Sequence, residues 1–285
     1  MISLTTSRKK VIEANIAVHS SLASSGEYNR SPHFRQENKQ KVRRILEGLV
    51  ARNSGAKPCR ALDLGCGTGF IIHLIHDLVD EVYGVDITDE MMNLIDLSPG
   101  NIQVQNSIAE ETPFKDEFFN IVTAYSFLDH LTSYEDVIVE AHRVLKPGGI
   151  FYSDLNPNRH FSKGMEALEN YRLDVLPEVV SREITGMLHN GEHWERNFGI
   201  DKDVLTNAEP IKSFDKGFNP DEVLAFGKKV GFSEVFFEYD WFLGQAIIMH
   251  EHSKEEADII DQYLRFVLPA TQGLYKYIRF ILGLS

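Results

Sequence analysis

Residues 61–70, ALDLGCGTGF, place three glycines within five positions, directly behind four residues suited to a buried, extended backbone. Glycine at the carboxyl end of a strand lets the main chain turn sharply and approach a ligand that any Cβ would hold off. A helix beginning just beyond it offers N–H groups without intrahelical partners. The run predicts a strand, a tight turn and a helix, with a ligand crevice where the strand ends.

Periodicity on either side extends this pattern. Val42, Ile45, Leu46, Leu49 and Val50 share one face of a helix over 36–52, which Asn53-Ser54-Gly55 ends. Strands are expected at 61–64, 81–87, 101–105, 120–127 and 149–155, with helices at 70–78, 89–97 and 134–145 between them. Lys146-Pro147-Gly148-Gly149 stops the last of these helices, since proline cannot continue it and glycine accepts the positive φ of its cap. Alternation of this kind implies a mostly parallel, doubly wound sheet covered on both faces. After a break, a helix is expected at 221–232, a strand at 234–242 and a last antiparallel strand at 245–250. Leu274, Ile278, Ile281 and Leu282 fall on one helical face near Lys276 and Arg279. That face would pack on the domain or on a second subunit in a homodimer, or make peripheral contact with lipid. The division expected is a helical cap over 1–55, a ligand-binding core over 56–155, a substrate-side insertion over 156–215, completion of the sheet over 216–250 and a helical extension over 251–285.

Bulk properties limit the partners. A net charge of −13 disfavours nucleic acid, which needs a basic footprint. The charge is uneven: residues 1–60 hold 12 Lys/Arg against 4 Asp/Glu, and the remainder 17 against 38. A basic segment lying against an acidic body is the simpler reading, a basic lid over an anionic substrate the sharper one. The start, MISLTTSRKK, lacks the apolar stretch of a secretory leader, and no run of 18 apolar residues appears. Two cysteines, Cys59 and Cys66, make no disulfide framework, which suits a cytoplasmic protein.

The glycines also discriminate between ligands. The dinucleotide fingerprint G-x-G-x-x-G is met by Gly65 and Gly67, but Phe70 holds the third position and Gly69 comes one residue early. Asp63, just before the turn, would repel a pyrophosphate. S-adenosylmethionine (SAM) carries a sulfonium and a zwitterionic amino acid instead, and tolerates that carboxylate. With these residues, Asp63-Leu64-Gly65-Cys66-Gly67-Thr68-Gly69, the chain resembles the class I SAM-dependent methyltransferases, whose sheet is Rossmann-like with seven strands. Asp86 resembles the acidic residue that grips the ribose hydroxyls. Glu110-Glu111-Thr112-Pro113-Phe114 resembles the stretch behind the amide, here near Ala109, that meets adenine. His142-Arg143-Val144-Leu145-Lys146-Pro147-Gly148-Gly149 resembles the helix and turn leading to the fifth strand. The resemblance implies SAM as cofactor, S-adenosylhomocysteine as product and a small-molecule acceptor: a natural product, a sugar or a lipid precursor. The cofactor residues it implies are Asp63, Gly65, Cys66, Gly67, Gly69, Asp86, Ile87, Ile108, Ala109 and Tyr125. An N-terminal segment folded over the cofactor would add Tyr28 and Arg35. Ile108 departs from the acidic residue common before the adenine-contacting alanine, so Ser107 or a carbonyl has to substitute. Asn120 stands after Phe119 where Phe-Asp is common.

Methyl transfer from a sulfonium needs alignment, and removal of a proton if the nucleophile carries one. The site is expected beyond the carboxyl ends of the strands, which brings in Tyr125, Ser126, Asp129, His130, Asp154 and Asn156. His130 with Asp129 is the candidate base, because imidazole titrates near neutral pH; the plainer alternative is that the pair caps the next helix. His189-Asn190-Gly191-Glu192-His193 matches a zinc-peptidase pattern, but Asn-Gly is a turn signal where that chemistry needs a continuous helix. No metal is expected. His193, Trp194 and Arg196, with Asn156, are candidates for the substrate mouth. The alternatives are different SAM chemistry on the same fold, or a non-catalytic subunit that keeps it.

Overall fold

The computed structural model describes residues 6–25, 34–53, 55, 57–169, 175, 177–188, 195 and 199–285. Seven strands form one sheet: β1 (Arg60–Leu64), β2 (Glu81–Asp86), β3 (Ile102–Asn106), β4 (Phe119–Tyr125), β5 (Leu145–Pro157), β6 (Glu234–Phe242) and β7 (Tyr275–Gly283). Their order is β3-β2-β1-β4-β5-β7-β6. The first five are parallel, and β7 runs antiparallel between β5 and β6. The connection reverses direction between β1 and β4, the position where doubly wound sheets open a crevice.

Alternate side chains of each strand leave on opposite faces, and each face acquires its own core. Leu62, Val122 and Phe151 join one cluster with Val137, Ile138, Ala141 and Val144 of α5 (Tyr134–Val144). Their neighbours Ala61, Ile121 and Ile150 join another with Val42, Leu46 and Leu49 of α2 (Gln36–Arg52) and Ile71, Ile72 and Ile75 of α3 (Phe70–Ile75). The other helices preceding β6 are α1 (Thr6–Ser25), α4 (Asp89–Met92), α6 (Arg159–Glu169), α7 (Glu178–Leu188), α8 (Lys202–Ala208), α9 (Pro210–Phe214) and α10 (Pro220–Val230). Helix α1 packs Ala14, Val18 and Leu22 against Ile200, Leu205 and Ala208 around α8. Local chemistry fixes the ends: the Ser133 hydroxyl accepts from Asp136 N before α5, and Asn219 caps α10 ahead of Pro220.

The structure corrects several expectations. Residues 245–250 are no strand; they lie in α11 (Gln245–Glu251), followed by α12 (Lys254–Phe266). The expected C-terminal helix is β7, so the sheet is completed at 283 and no such helix exists to touch lipid or a second subunit. Tyr275 and Ile278 through Gly283 are all buried, and a strand covered on both faces carries a near-continuous apolar run that mimics a helical face. Lys146–Gly149 lies inside β5, where the pairing with β4 shifts register between Phe119 and Ile121. The helices at 70–78 and 89–97 stop early, at Ile75 and Met92. No helix among the described residues is long and apolar enough to cross a membrane.

The reversed strand is joined to its neighbours by charge. Arg279, 6% exposed at the middle of β7, donates to Asp154 on β5 at 2.8 Å and to Asp240 and Glu238 on β6 at 2.9 Å each. Tyr152 OH also donates to Asp154, and Lys41 of α2 reaches Asp240. Five more of the twelve basic residues before residue 61 pair with the acidic body: Arg8, Arg43, Arg52, Lys57 and Arg60 meet Glu110, Asp77, Glu234, Asp80 and Glu81.

Candidate active site

A cleft opens at the carboxyl edge of the sheet, lined by residues that follow β1, β2, β3 and β4. Gly65 and Gly67 bring the main chain to its wall with φ of +67° and +49°. A Cβ at Gly65 would overlap the ring of Phe127, which lies directly on the turn. Asp86, at the end of β2, accepts from Gly67 N at 2.9 Å through Oδ2 and from Thr88 N at 2.8 Å through Oδ1. Each carboxylate oxygen has a second lone pair for a ligand hydroxyl. Burial raises this carboxyl above the usual range, and the two amides oppose the shift. Beyond β3, Ser107, Ile108, Ala109 and Glu110 continue the wall.

Helix α1 forms the opposite wall. Arg8, Asn15 and His19 line the cleft; Arg8 reaches Glu110 at 3.0 Å, and Asn15 Nδ2 donates to His130 O at 3.1 Å. His130 lines the same cleft from a 3-10 turn at Leu128–His130. Its Nδ1 lies 3.0 Å from Ala208 O. A carbonyl only accepts, so Nδ1 carries a proton, and in the neutral ring Nε2 is the acceptor. The His19 ring packs edge-on against that of His130, with centroids 5.1 Å apart. Burial, then the neighbouring imidazole, lowers His19 to about 3 and keeps it neutral. Burial raises the Asp129 carboxyl.

The geometry has counterparts among known proteins. Residues 62–153 match the model of the methyltransferase domain family. Over this stretch the chain is similar to the methyltransferase domain family. A ubiquinone biosynthesis O-methyltransferase of Burkholderia orbicola is 31% identical over 140 residues, 47% of this chain and 55% of that one. A ubiquinone/menaquinone biosynthesis C-methyltransferase of Stutzerimonas stutzeri is 32% identical over 155 residues, 50% of this chain and 60% of that one. The chain thus spans a little over half the length of the curated relatives it matches. A solved phosphoethanolamine N-methyltransferase 2 of Haemonchus contortus, holding phosphomonomethylethanolamine and S-adenosylhomocysteine, shares the fold at 15% identity. Its TM-score is 0.54, over 99% of this chain and 61% of that one.

Of the candidate cofactor residues, Gly65, Gly67, Asp86, Ile87, Ile108 and Ala109 line one cleft. The other described ones do not. Asp63 lies beneath the turn, accepting from Thr123 Oγ1 at 2.7 Å, and burial pushes its carboxyl up to about 7. Cys66 turns into the core behind Gly84, where burial holds its thiol well above its ordinary pKa. Gly69 starts α3 with φ +83° rather than lining the cleft. Tyr125 does not line the cleft; it stacks on Phe70 at 4.8 Å and accepts from Asn38 Nδ2 at 2.8 Å. Arg35 lines a separate cleft with Lys41, Arg44 and Trp241. Asn156 is no substrate contact: it is fully buried, its Oδ1 accepting from Ser153 and its Nδ2 donating to Ile278 O across the register shift of β5 and β7. Tyr28, His193, Trp194, Arg196 and the turn at 189–193 lie outside the described residues. The sequence reading missed Arg8, Asn15 and His19, whose one signal was the basic character of the N-terminal stretch.

The arrangement fits SAM. The turn is bare where a Cβ would intrude, Asp86 retains lone pairs for two vicinal hydroxyls, and no phosphate has to sit beside Asp63. The uncharged wall at Ile108 and Ala109 suits a purine.

Proposed function

We propose that this protein transfers a methyl group from SAM to a small-molecule acceptor bound beside His130 in the cleft. One observation carries this reading: Gly65, Gly67, Asp86 and Ala109 line the same cleft as His130. When bound, SAM supplies a methyl already activated by its sulfonium. Asp86 then holds the ribose hydroxyls, the main chain at Ile108 and Ala109 meets adenine, and Ser107 offers the polar group missing at 108. Helix α1 covers the ligand and excludes water. His130 holds its Nε2 lone pair for the acceptor's proton, with the ring oriented by Ala208 O. The names of two relatives, both concerned with ubiquinone biosynthesis, support a small molecule over a macromolecule as acceptor.

The test is incubation with methyl-tritiated SAM and an ultrafiltered extract of small molecules. The reading expects label in a small organic product together with matching S-adenosylhomocysteine, and loss of both in His130→Asn while SAM still binds. S-adenosylhomocysteine or another fragment formed without a labelled product would assign different SAM chemistry to the site.

A further inference from the structure

Beside the methyltransferase cleft, Asp129, His130 and Glu209 each offer a ligand atom, and the three atoms lie within 4.8 Å of one another. They come from the turn after β4 and from the junction of α8 and α9, about eighty residues apart, so no spacing motif could announce them. Asp129 is 6% exposed, and its Oδ1 is buried without a hydrogen-bond partner. An unmet carboxylate oxygen shielded from water is costly unless something positive or a donor reaches it. Lys212 donates to Glu209 Oε2 at 2.6 Å, which occupies one oxygen of that carboxylate.

We infer that Asp129, His130 and Glu209 form a divalent cation site at the acceptor end of the cleft. Two carboxylate oxygens and an imidazole nitrogen suit Mn²⁺, Fe²⁺ or Zn²⁺ better than a thiophilic metal. The hydrogen bond from His130 to Ala208 O orients the ring, as outer partners of metal-bound histidines do. Three protein donors leave positions open for water or an acceptor oxygen. An ion here would take the Nε2 lone pair that the proposed function gives to proton removal, and would replace that role: an acceptor hydroxyl on the ion is acidified enough to lose its proton to solvent. The inference stands apart from the cofactor reading, because the ion needs neither the glycine turn nor Asp86.

The experiment is titration of the full chain, first dialysed against a chelator, with MnCl₂ in the absence of SAM. Free Mn²⁺ is followed by its paramagnetic resonance signal and binding heat by calorimetry. The expected result is saturable uptake of a single ion per chain, weakened roughly tenfold or more in Asp129→Asn and in Glu209→Gln. SAM titration of the same samples keeps the two readings separable, since these variants retain the glycine turn and Asp86. No saturable uptake of Mn²⁺ by the unaltered protein overturns the site, whatever the variants do. Uptake that is unchanged in the double variant overturns it equally.

Discussion

At Asp86 one carboxylate both shapes the pocket and waits for the ligand. By accepting from Gly67 N and Thr88 N it ties the glycine turn to the loop after β2. Gly65 has no such latitude. Its φ of +67° disfavours any side chain, and the Phe127 ring occupies the place of a Cβ. Gly65→Ala is expected to cost about 1–3 kcal/mol in urea unfolding and to abolish SAM binding in calorimetry. His19 gives a pH prediction. Its folded imidazole stays neutral down to about 3, against 6.5 for the ordinary group, so acid favours the unfolded chain. Stability should fall as pH drops below 6.5, by up to about 1.4 kcal/mol per unit. Asp63 works the other way, its raised carboxyl losing stability as pH climbs from 3.8 toward about 7. The His19 effect is therefore read as a difference: urea unfolding at pH 7.5 and 5.5 should show a smaller acid loss in His19→Gln than in the unaltered protein.

At the scale of elements, α1 is the piece that turns an open sheet edge into a cleft. Val18, 4% exposed, anchors it against the α8 region. Val18→Asp is expected to undock the helix, weakening SAM binding about tenfold or more by calorimetry through loss of one wall, while the circular dichroism of the sheet persists. What the sequence shows of the elements follows from how locally each is determined. Strands β1 to β5 were legible because apolar runs alternate with capped or proline-stopped helices. β7 was not, because Ile278, Ile281 and Leu282 satisfy a helical period and a doubly covered strand equally well. Residues 245–250 failed for a related reason: a short apolar run carries no period of its own, and the left-handed Gly244 that starts α11 reads as a turn before a strand just as well. The wall formed by α1 was illegible too, since nothing local in Asn15 or His19 tells that each lies against His130.

For the whole molecule, the strand order places the cleft at the reversal between β1 and β4, while the far half of the sheet depends on Arg279. Its guanidinium is buried, and Asp154 and Asp240 face it with almost no access to water. Removing it leaves the buried Asp154 with no cation and Asp240 with Lys41 alone, so Arg279→Met should cost about 3–5 kcal/mol in urea unfolding. Much of the candidate site was readable because the loops after β1, β2 and β3 carry their functions in contiguous residues. The acceptor end was not, because it joins His130 to His19, Ala208 and Glu209 across the chain. The most direct test of the whole account is calorimetric titration of the protein and of Asp86→Ala with S-adenosylmethionine. The account predicts saturable binding to the unaltered chain, weakened about 10- to 100-fold when the charged acceptor is removed. An absence of binding heat, or an affinity indifferent to Asp86, would contradict it.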